Sequence, residues 1–172
     1  MNSQSRAERV RLLALDVDGV LTDGRIYYGN AGEELKAFNI KDGLGVKLLQ
    51  EAGVKVAIIT GRQSEIVARR ARELGIEDVV QGREDKLSAL RELCEREGLM
   101  LEDCAYMGDD LPDLGAIRAA GLGLTVADAT RAVAGAAHWQ SSLAGGAGAV
   151  REACEFILEA RGELARREAD FS

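Results

Sequence analysis

At 172 residues the chain can bury a full hydrophobic core, and nothing in it reads as a linker, so residues 1–172 are expected to form one domain. A formal charge of -7 with no basic run excludes nucleic acid and anionic membrane surfaces as partners, and no apolar run is long enough to span a bilayer. Cys94, Cys104 and Cys154 are odd in number and widely spaced, which fits small buried hydrophobes in a reducing, cytoplasmic compartment rather than a disulfide or zinc framework.

Residues 1–10 are polar and lack the apolar stretch of a signal peptide. Residues 12–15 form an apolar run without alternation, the pattern of a strand covered on both faces, and it stops at Asp16 and Asp18. Two carboxylates that close repel each other unless a cation or a proton intervenes. Gly19 then allows a sharp turn. Residues 25–28 and 33–38 flank a glycine-containing turn and read as a β-hairpin, the flap of residues 24–39. Asp42 is placed to cap a helix carrying Leu44, Leu48 and Leu49 that stops at Gly53; a strand over residues 54–59 follows and ends at Thr60-Gly61-Arg62.

Ser64 caps the next helix, with Val67, Ala68, Ala71 and Leu74 at helical spacing, and Val79-Val80 is a minimal strand. A helix from about Lys86 buries Leu87, Leu90, Leu93 and Cys94. Residues 104–107 make a strand ending in Gly108-Asp109-Asp110, a helix follows Pro112, and residues 122–126 make another strand. A short helix near residues 130–134, an edge strand at His138-Trp139 and a closing helix over residues 147–160 complete the order, with residues 162–172 a charged, frayed tail. His138 stands alone and is read as neither ligand nor base.

Strands alternating with amphipathic helices imply an α/β fold with a doubly wound, Rossmann-like parallel sheet and right-handed crossovers. Asp16, Asp18, Thr60, Asp109 and Asp110 each follow a strand, so all meet at one edge of the sheet, and Lys86 at its helix start can reach the same edge. Any one of these positions alone would pass as a polar strand end or a solvated lysine; the convergence reads as a catalytic site.

At these residues the sequence resembles the haloacid dehalogenase-like phosphatases. The four motifs of that family stand in order: D-V-D-G-V-L-T from Asp16 to Thr22, Thr60 after an apolar strand, Lys86, and G-D-D-L-P-D from Gly108 to Asp113. The resemblance implies that Asp16 is a nucleophile and that Asp18 serves the leaving group. The chemistry is sound on its own terms. A carboxylate is ionised at neutral pH and can attack phosphorus without a general base, whereas Asp18 must carry a proton for the leaving oxygen. Hard oxygen donors, Asp16, the Asp18 carbonyl and Asp109, suit Mg2+, with Asp110 and Asp113 as their supports. Thr60 and the Gly61 amide would hold phosphate oxygens and Lys86 would neutralise charge.

No interval between the motifs holds a cap domain, so the resemblance is to the capless branch. It becomes closer through G-N-A-G-E-E-L-K-A-F-N-I-K-D-G from Gly29 to Gly43, A-I-I-T-G-R from Ala57 to Arg62, A-Y-M-G-D-D-L-P-D from Ala105 to Asp113 and G-G-A-G-A-V-R-E from Gly145 to Glu152. These resemble the capless phosphatases of an eight-carbon sugar-acid phosphate used in lipopolysaccharide. That implies a homotetramer in which the hairpin of one subunit closes a neighbour's site, and a tail that can enter an adjacent site, with Phe171 its apolar anchor. Arg62, whose guanidinium fork suits a carboxylate, is the expected substrate contact; Asn39, Lys41 and Arg83 are further candidates. Three alternatives stay open: a nine-carbon sugar-acid 9-phosphate as substrate, a non-catalytic assembly module, and a phospho-acceptor signalling domain.

Overall fold

The computed structural model describes residues 1–172. A short helix, α1 (Ser3–Glu8), capped by Asn2, precedes β1 (Leu12–Leu15). The chain turns sharply through Val17–Leu21 and makes a two-stranded antiparallel hairpin, β2 (Tyr27–Tyr28) and β3 (Glu34–Leu35). Then come α2 (Ile40–Glu51), β4 (Lys55–Ile59), α3 (Glu65–Glu73), β5 (Asp78–Val80) and α4 (Lys86–Glu97). The second half runs β6 (Cys104–Gly108), α5 (Leu114–Ala119), β7 (Leu122–Thr125), α6 (Arg131–Ala136), β8 (Trp139–Gln140), α7 (Ala149–Ala160) and α8 (Leu164–Ala169).

Six strands form one sheet in the order β5-β4-β1-β6-β7-β8, and every pair is parallel. Parallel strands need crossovers, and the helices that make them cover both faces, which is why β1 reads as unbroken apolar sequence. Leu13 and Leu15 face a layer built from α1, α2, α3 and α7; Leu12 and Ala14 face α4, α5 and α6. The strand order reverses between β1 and β6, so a crevice opens beyond their carboxyl ends, where doubly wound sheets bind ligands. No cap domain interrupts this order of elements.

The outline matches the sequence expectation, with local differences. Asn39, not Asp42, caps α2: its side chain accepts from the Lys41 amide at 2.8 Å. Asp42 is buried one turn in and instead accepts from the Arg151 amide at 2.9 Å, satisfying a free donor in the first turn of α7. Leu44 is exposed, and Val46 takes the core position. The polar N-terminal segment folds as α1 and packs on α7, burying Ala7 and Val10. The tail, expected to fray, forms α8: Leu164 packs against the core and Arg167 pairs with Glu163 at 3.4 Å. Phe171 stands exposed beyond it. Gly145, in the loop before α7, lies so close to the Gly19 carbonyl that a Cβ would overlap it, which seats this loop against the turn after β1.

The three cysteines are free and buried, as their apolar contexts imply. His138 accepts from the Gly123 amide through Nδ1 at 2.8 Å, and neighbouring Trp139 stacks on Phe156. No helix is long and apolar enough to cross a membrane.

Candidate active site

Beyond the carboxyl ends of β1, β4 and β6 lies a cavity of about 610 Å³ lined by Asp16, Asp18, Gly24, Thr60, Gly61, Arg62, Glu84, Lys86, Asp109, Asp110, Pro112 and Asp113. Each strand delivers its group directly. Asp16 follows β1, with its amide bonded to the Met107 carbonyl of β6; Thr60 follows β4, with its amide bonded to Val80 of β5; Asp109 follows β6. Asp18 projects from the tight turn made possible by Gly19, whose φ of +89° suits glycine and whose missing Cβ leaves room for the Asp109 carboxylate.

Lys86 opens α4 and is 5% exposed, with Nζ 2.9 Å from Asp16 and 2.7 Å from Asp113. Asp113 is fully engaged. Its Oδ1 accepts from Lys86 and from the Tyr106 hydroxyl at 2.7 Å, and its Oδ2 from the amides of Asp109 at 2.9 Å and Asp110 at 3.2 Å. Asp110 caps the same turn by accepting from the Leu111 amide. The Asp109 backbone is fixed by Thr130 on one side and by Thr125, whose hydroxyl bonds the Gly108 carbonyl, on the other.

The electrostatics follow from this crowding. Burial and the Asp113 charge raise the Asp16 carboxyl to about 6, against the lowering effect of Lys86. Burial, then Asp16 and Asp113, push Asp109 up to about 8. Burial opposes the Lys86 charge, yet Asp16 and Asp113 together raise its pKa, so the ammonium persists. Carboxylate oxygens of Asp16, Asp109 and Asp113 lie within 4.8 Å of one another. Three acids facing one lysine leave repulsion that a hard divalent cation relieves, and oxygen donors are what magnesium takes. Because Asp113 has spent its acceptors, Asp16 and Asp109 are the side chains free to hold such an ion.

Of the positions expected from sequence, Asp16, Asp18, Thr60, Gly61, Arg62, Lys86, Asp109, Asp110 and Asp113 line one cavity. Asn39, Lys41 and Arg83 do not. Asn39 caps α2 and reaches the Gly146 carbonyl at 3.3 Å, Lys41 is exposed, and Arg83 makes paired bonds to Glu92 at 3.0 and 3.1 Å. Sequence reasoning passed over Lys36, Glu34, Tyr28 and Tyr106. The Lys36 side chain is fully covered and its Nζ lies 2.5 Å from Asp18; Arg62 reaches Glu34 at 3.3 Å and the Tyr28 hydroxyl at 3.4 Å. The hairpin thus lies over the site of its own chain. Its signal was the alternation of Glu34 and Lys36, which puts two charges on one side of a strand. The signal of Tyr106 was a hydroxyl in a run buried on both faces, where it must find a partner.

A capless doubly wound sheet with this constellation at its switch point defines a haloacid dehalogenase-like hydrolase, and the family model of that description matches residues 40–121. The chain is 48% identical to the 3-deoxy-D-manno-octulosonate 8-phosphate phosphatase of Escherichia coli K12 over 160 residues, 93% of this chain and 85% of that protein. The corresponding phosphatase of Yersinia pestis is also 48% identical, over 92% of this chain and 85% of its own. Among solved structures, the Moraxella catarrhalis 3-deoxy-D-manno-octulosonate 8-phosphate phosphatase, crystallised with magnesium, phosphate and KDO, superposes with a TM-score of 0.97 at 46% identity, covering 98% of this chain and 97% of that one. The cobalt-bound Haemophilus influenzae phosphatase gives a TM-score of 0.91 at 40% identity, with 95% and 99% covered. The chain belongs to the 3-deoxy-D-manno-octulosonate 8-phosphate phosphatase family of the haloacid dehalogenase-like hydrolases.

Proposed function

We propose that the chain hydrolyses 3-deoxy-D-manno-octulosonate 8-phosphate to 3-deoxy-D-manno-octulosonate and phosphate, with magnesium, in the making of lipopolysaccharide precursors. The observation that carries this reading is the meeting of Asp16, Asp18, Thr60, Lys86 and Asp109 on one cavity, in a chain 48% identical to phosphatases of that name.

In this reading a carboxylate oxygen of Asp16 attacks phosphorus, the bond from phosphorus to the sugar oxygen breaks, and Asp18 supplies the proton that the leaving oxygen needs. Water then attacks the aspartyl-phosphate, Asp18 takes its proton, and Asp16 is regenerated. Thr60 and the Gly61 amide orient the phosphoryl oxygens. Lys86, held by Asp113, offsets the negative charge that gathers on Asp16 and the phosphoryl group. Asp16, the Asp18 carbonyl and Asp109 would hold magnesium, which when bound neutralises charge between the attacking carboxylate and the phosphate. Asp110 and Asp113 support that set, and Arg62 receives the substrate carboxylate.

The same reading takes the whole chain as one domain and places it in the cytoplasm, in keeping with its free thiols. It takes the assembly as a homotetramer in which each hairpin also reaches a neighbour's site. Supporting this, Tyr27 and Leu35 leave apolar surface exposed on the hairpin, next to a cavity that has no cap. Sedimentation at assay concentration checks the assembly, and a fully active monomer removes it.

The chemistry is tested by magnesium-dependent phosphate release from 3-deoxy-D-manno-octulosonate 8-phosphate, a nine-carbon sugar-acid 9-phosphate and simple phosphomonoesters, with Asp16→Asn as control. Selective turnover, lost on the order of 10⁴-fold or more in Asp16→Asn, is the expected result. Equal rates on all esters would keep the hydrolase and remove the substrate assignment.

A further inference from the structure

The hairpin brings a carboxylate of the protein itself to the guanidinium read above as the receptor for the substrate carboxylate. Arg62 lines the cavity, and its Nη2 lies 3.3 Å from Glu34 Oε1 and 3.4 Å from the Tyr28 hydroxyl. Glu34 has a second cation within reach, since Lys36 Nζ lies 3.7 Å from the same oxygen while bonded to Asp18 at 2.5 Å. The Lys36 side chain is fully covered, whereas 26% of Glu34 and 47% of Arg62 remain accessible. A carboxylate arriving from the cavity can therefore meet Arg62 without unpacking the hairpin.

We propose that Glu34 is an internal competitor of the substrate: a stand-in for the substrate carboxylate that occupies Arg62 until a sugar-acid carboxylate replaces it, whereupon Lys36 retains the displaced Glu34. The proposal rests on the reading of Arg62 as the carboxylate receptor. Its physical basis is exchange. A substrate with a carboxylate trades one Arg62 ion pair for another, and Glu34 keeps a partner, so no charge is stranded. An ester without a carboxylate leaves the Arg62–Glu34 pair intact and gains nothing from it. The exchange also lowers the apparent affinity for the true substrate by the fraction of time that Arg62 is occupied.

The test is Glu34→Gln in the full chain, which keeps the size of the side chain and removes its charge. Because Arg62 is half exposed, the pair it loses is a weak one. KM for 3-deoxy-D-manno-octulosonate 8-phosphate should accordingly fall roughly two- to fivefold, and the inhibition constant of the free sugar acid should fall with it. KM for 4-nitrophenyl phosphate, which has no carboxylate to exchange, should stay where it is. An unchanged or higher KM for the sugar-acid phosphate, or an equal fall for both esters, overturns the proposal. Arg62→Ala separates the two levels. If it raises KM for both esters alike, the carboxylate-receptor reading itself fails. If it raises KM only for the sugar-acid phosphate while Glu34→Gln changes nothing, the stand-in alone is lost. Calorimetric binding of the free sugar acid to wild type and Glu34→Gln gives the same comparison without turnover.

Discussion

The two ends of α4 hold the same kinds of charge in opposite circumstances. At its C-terminus, on the edge where the strands begin, Glu97 pairs with Lys55 and Arg96 pairs with Asp78, with Lys55 56% and Arg96 59% exposed. At its N-terminus, on the edge where the strands end, Lys86 is buried between Asp16 and Asp113. The outer pairs are screened by water, and each contributes little. The inner charges cannot be screened, so the fold must supply partners, and it does so redundantly: Asp113 alone accepts four hydrogen bonds. A charge that a protein buries and then braces from several elements is one whose position matters to something other than stability.

Substitution should expose that asymmetry first. Lys86→Met leaves Asp16 and Asp113 buried without their cation and should cost about 3–5 kcal/mol of folding free energy. Lys55→Met should stay within about 1 kcal/mol. Urea unfolding of the two variants measures both, and equal losses would mean that the two edges are electrostatically alike.

The second difference concerns the metal. In the metal-free protein the Asp16 carboxyl is raised to about 6, mainly by burial, and Asp109 to about 8, by burial and then Asp16. Both folded values exceed the ordinary 3.8, so these groups favour the fold fully below about pH 4. That contribution is lost as pH rises through about 6 for Asp16 and about 8 for Asp109. A divalent cation binds the ionised forms, so its stabilisation should run the other way. The difference in Tm between saturating magnesium and a chelator should be small at pH 5 and should grow up to pH 8, at roughly 2–4 °C for each kcal/mol gained. No comparable pH dependence should be gained by Asp109→Asn, which removes one titrating donor. A difference that is flat with pH would show that magnesium does not compete with protons for this carboxylate cluster.

The sequence revealed these edges unequally. The edge that holds the cavity was legible because each of its acids follows a strand, and a strand buried on both faces is conspicuous as an unbroken apolar run. The sheet and its crossovers followed from the alternation of strands and helices, and the capless order from the intervals between the motifs. What stayed hidden depended on contacts between distant segments. Asp42 looked like the cap of its own helix, and it serves the start of α7, 109 residues away in sequence. Asn39 and Lys41 were chosen for their place at the hairpin's exit and Arg83 for its charge near Lys86, which do not report whether a neighbour such as Glu92 already holds the side chain. Glu34 lies on a two-residue strand and Lys36 just past its end, so their alternation says nothing of what they meet, and only the folded hairpin brings them to Arg62 and Asp18. The tail carried a charged composition typical of disorder, yet its Glu163–Arg167 spacing and Leu164 suffice for a helix once α7 offers a surface.

Tyr106 tests the bracing of the inner edge most finely. It is fully buried on β6, and its hydroxyl donates to Asp113 at 2.7 Å. Burial first, and then the Asp113 charge, hold its pKa well above the ordinary phenol value, so the proton remains available for donation. Tyr106→Phe removes one oxygen, keeps the ring, and leaves Asp113 Oδ1 with Lys86 as its sole remaining partner. The loss should be about 1.5–3 kcal/mol in urea unfolding, that of one hydrogen bond to a charged acceptor, and smaller than for Lys86→Met because no charge loses its counterion. Turnover separates bracing from packing. If Asp113 holds Lys86 against Asp16 only while both of its Oδ1 bonds are made, kcat should drop severalfold with KM unchanged, since the ammonium is needed most where charge gathers in the transition state. An unchanged kcat beside the same stability loss would mean that Lys86 and the amides of Asp109 and Asp110 suffice to set the position of Asp113, and that the tyrosine belongs to the core and not to the site.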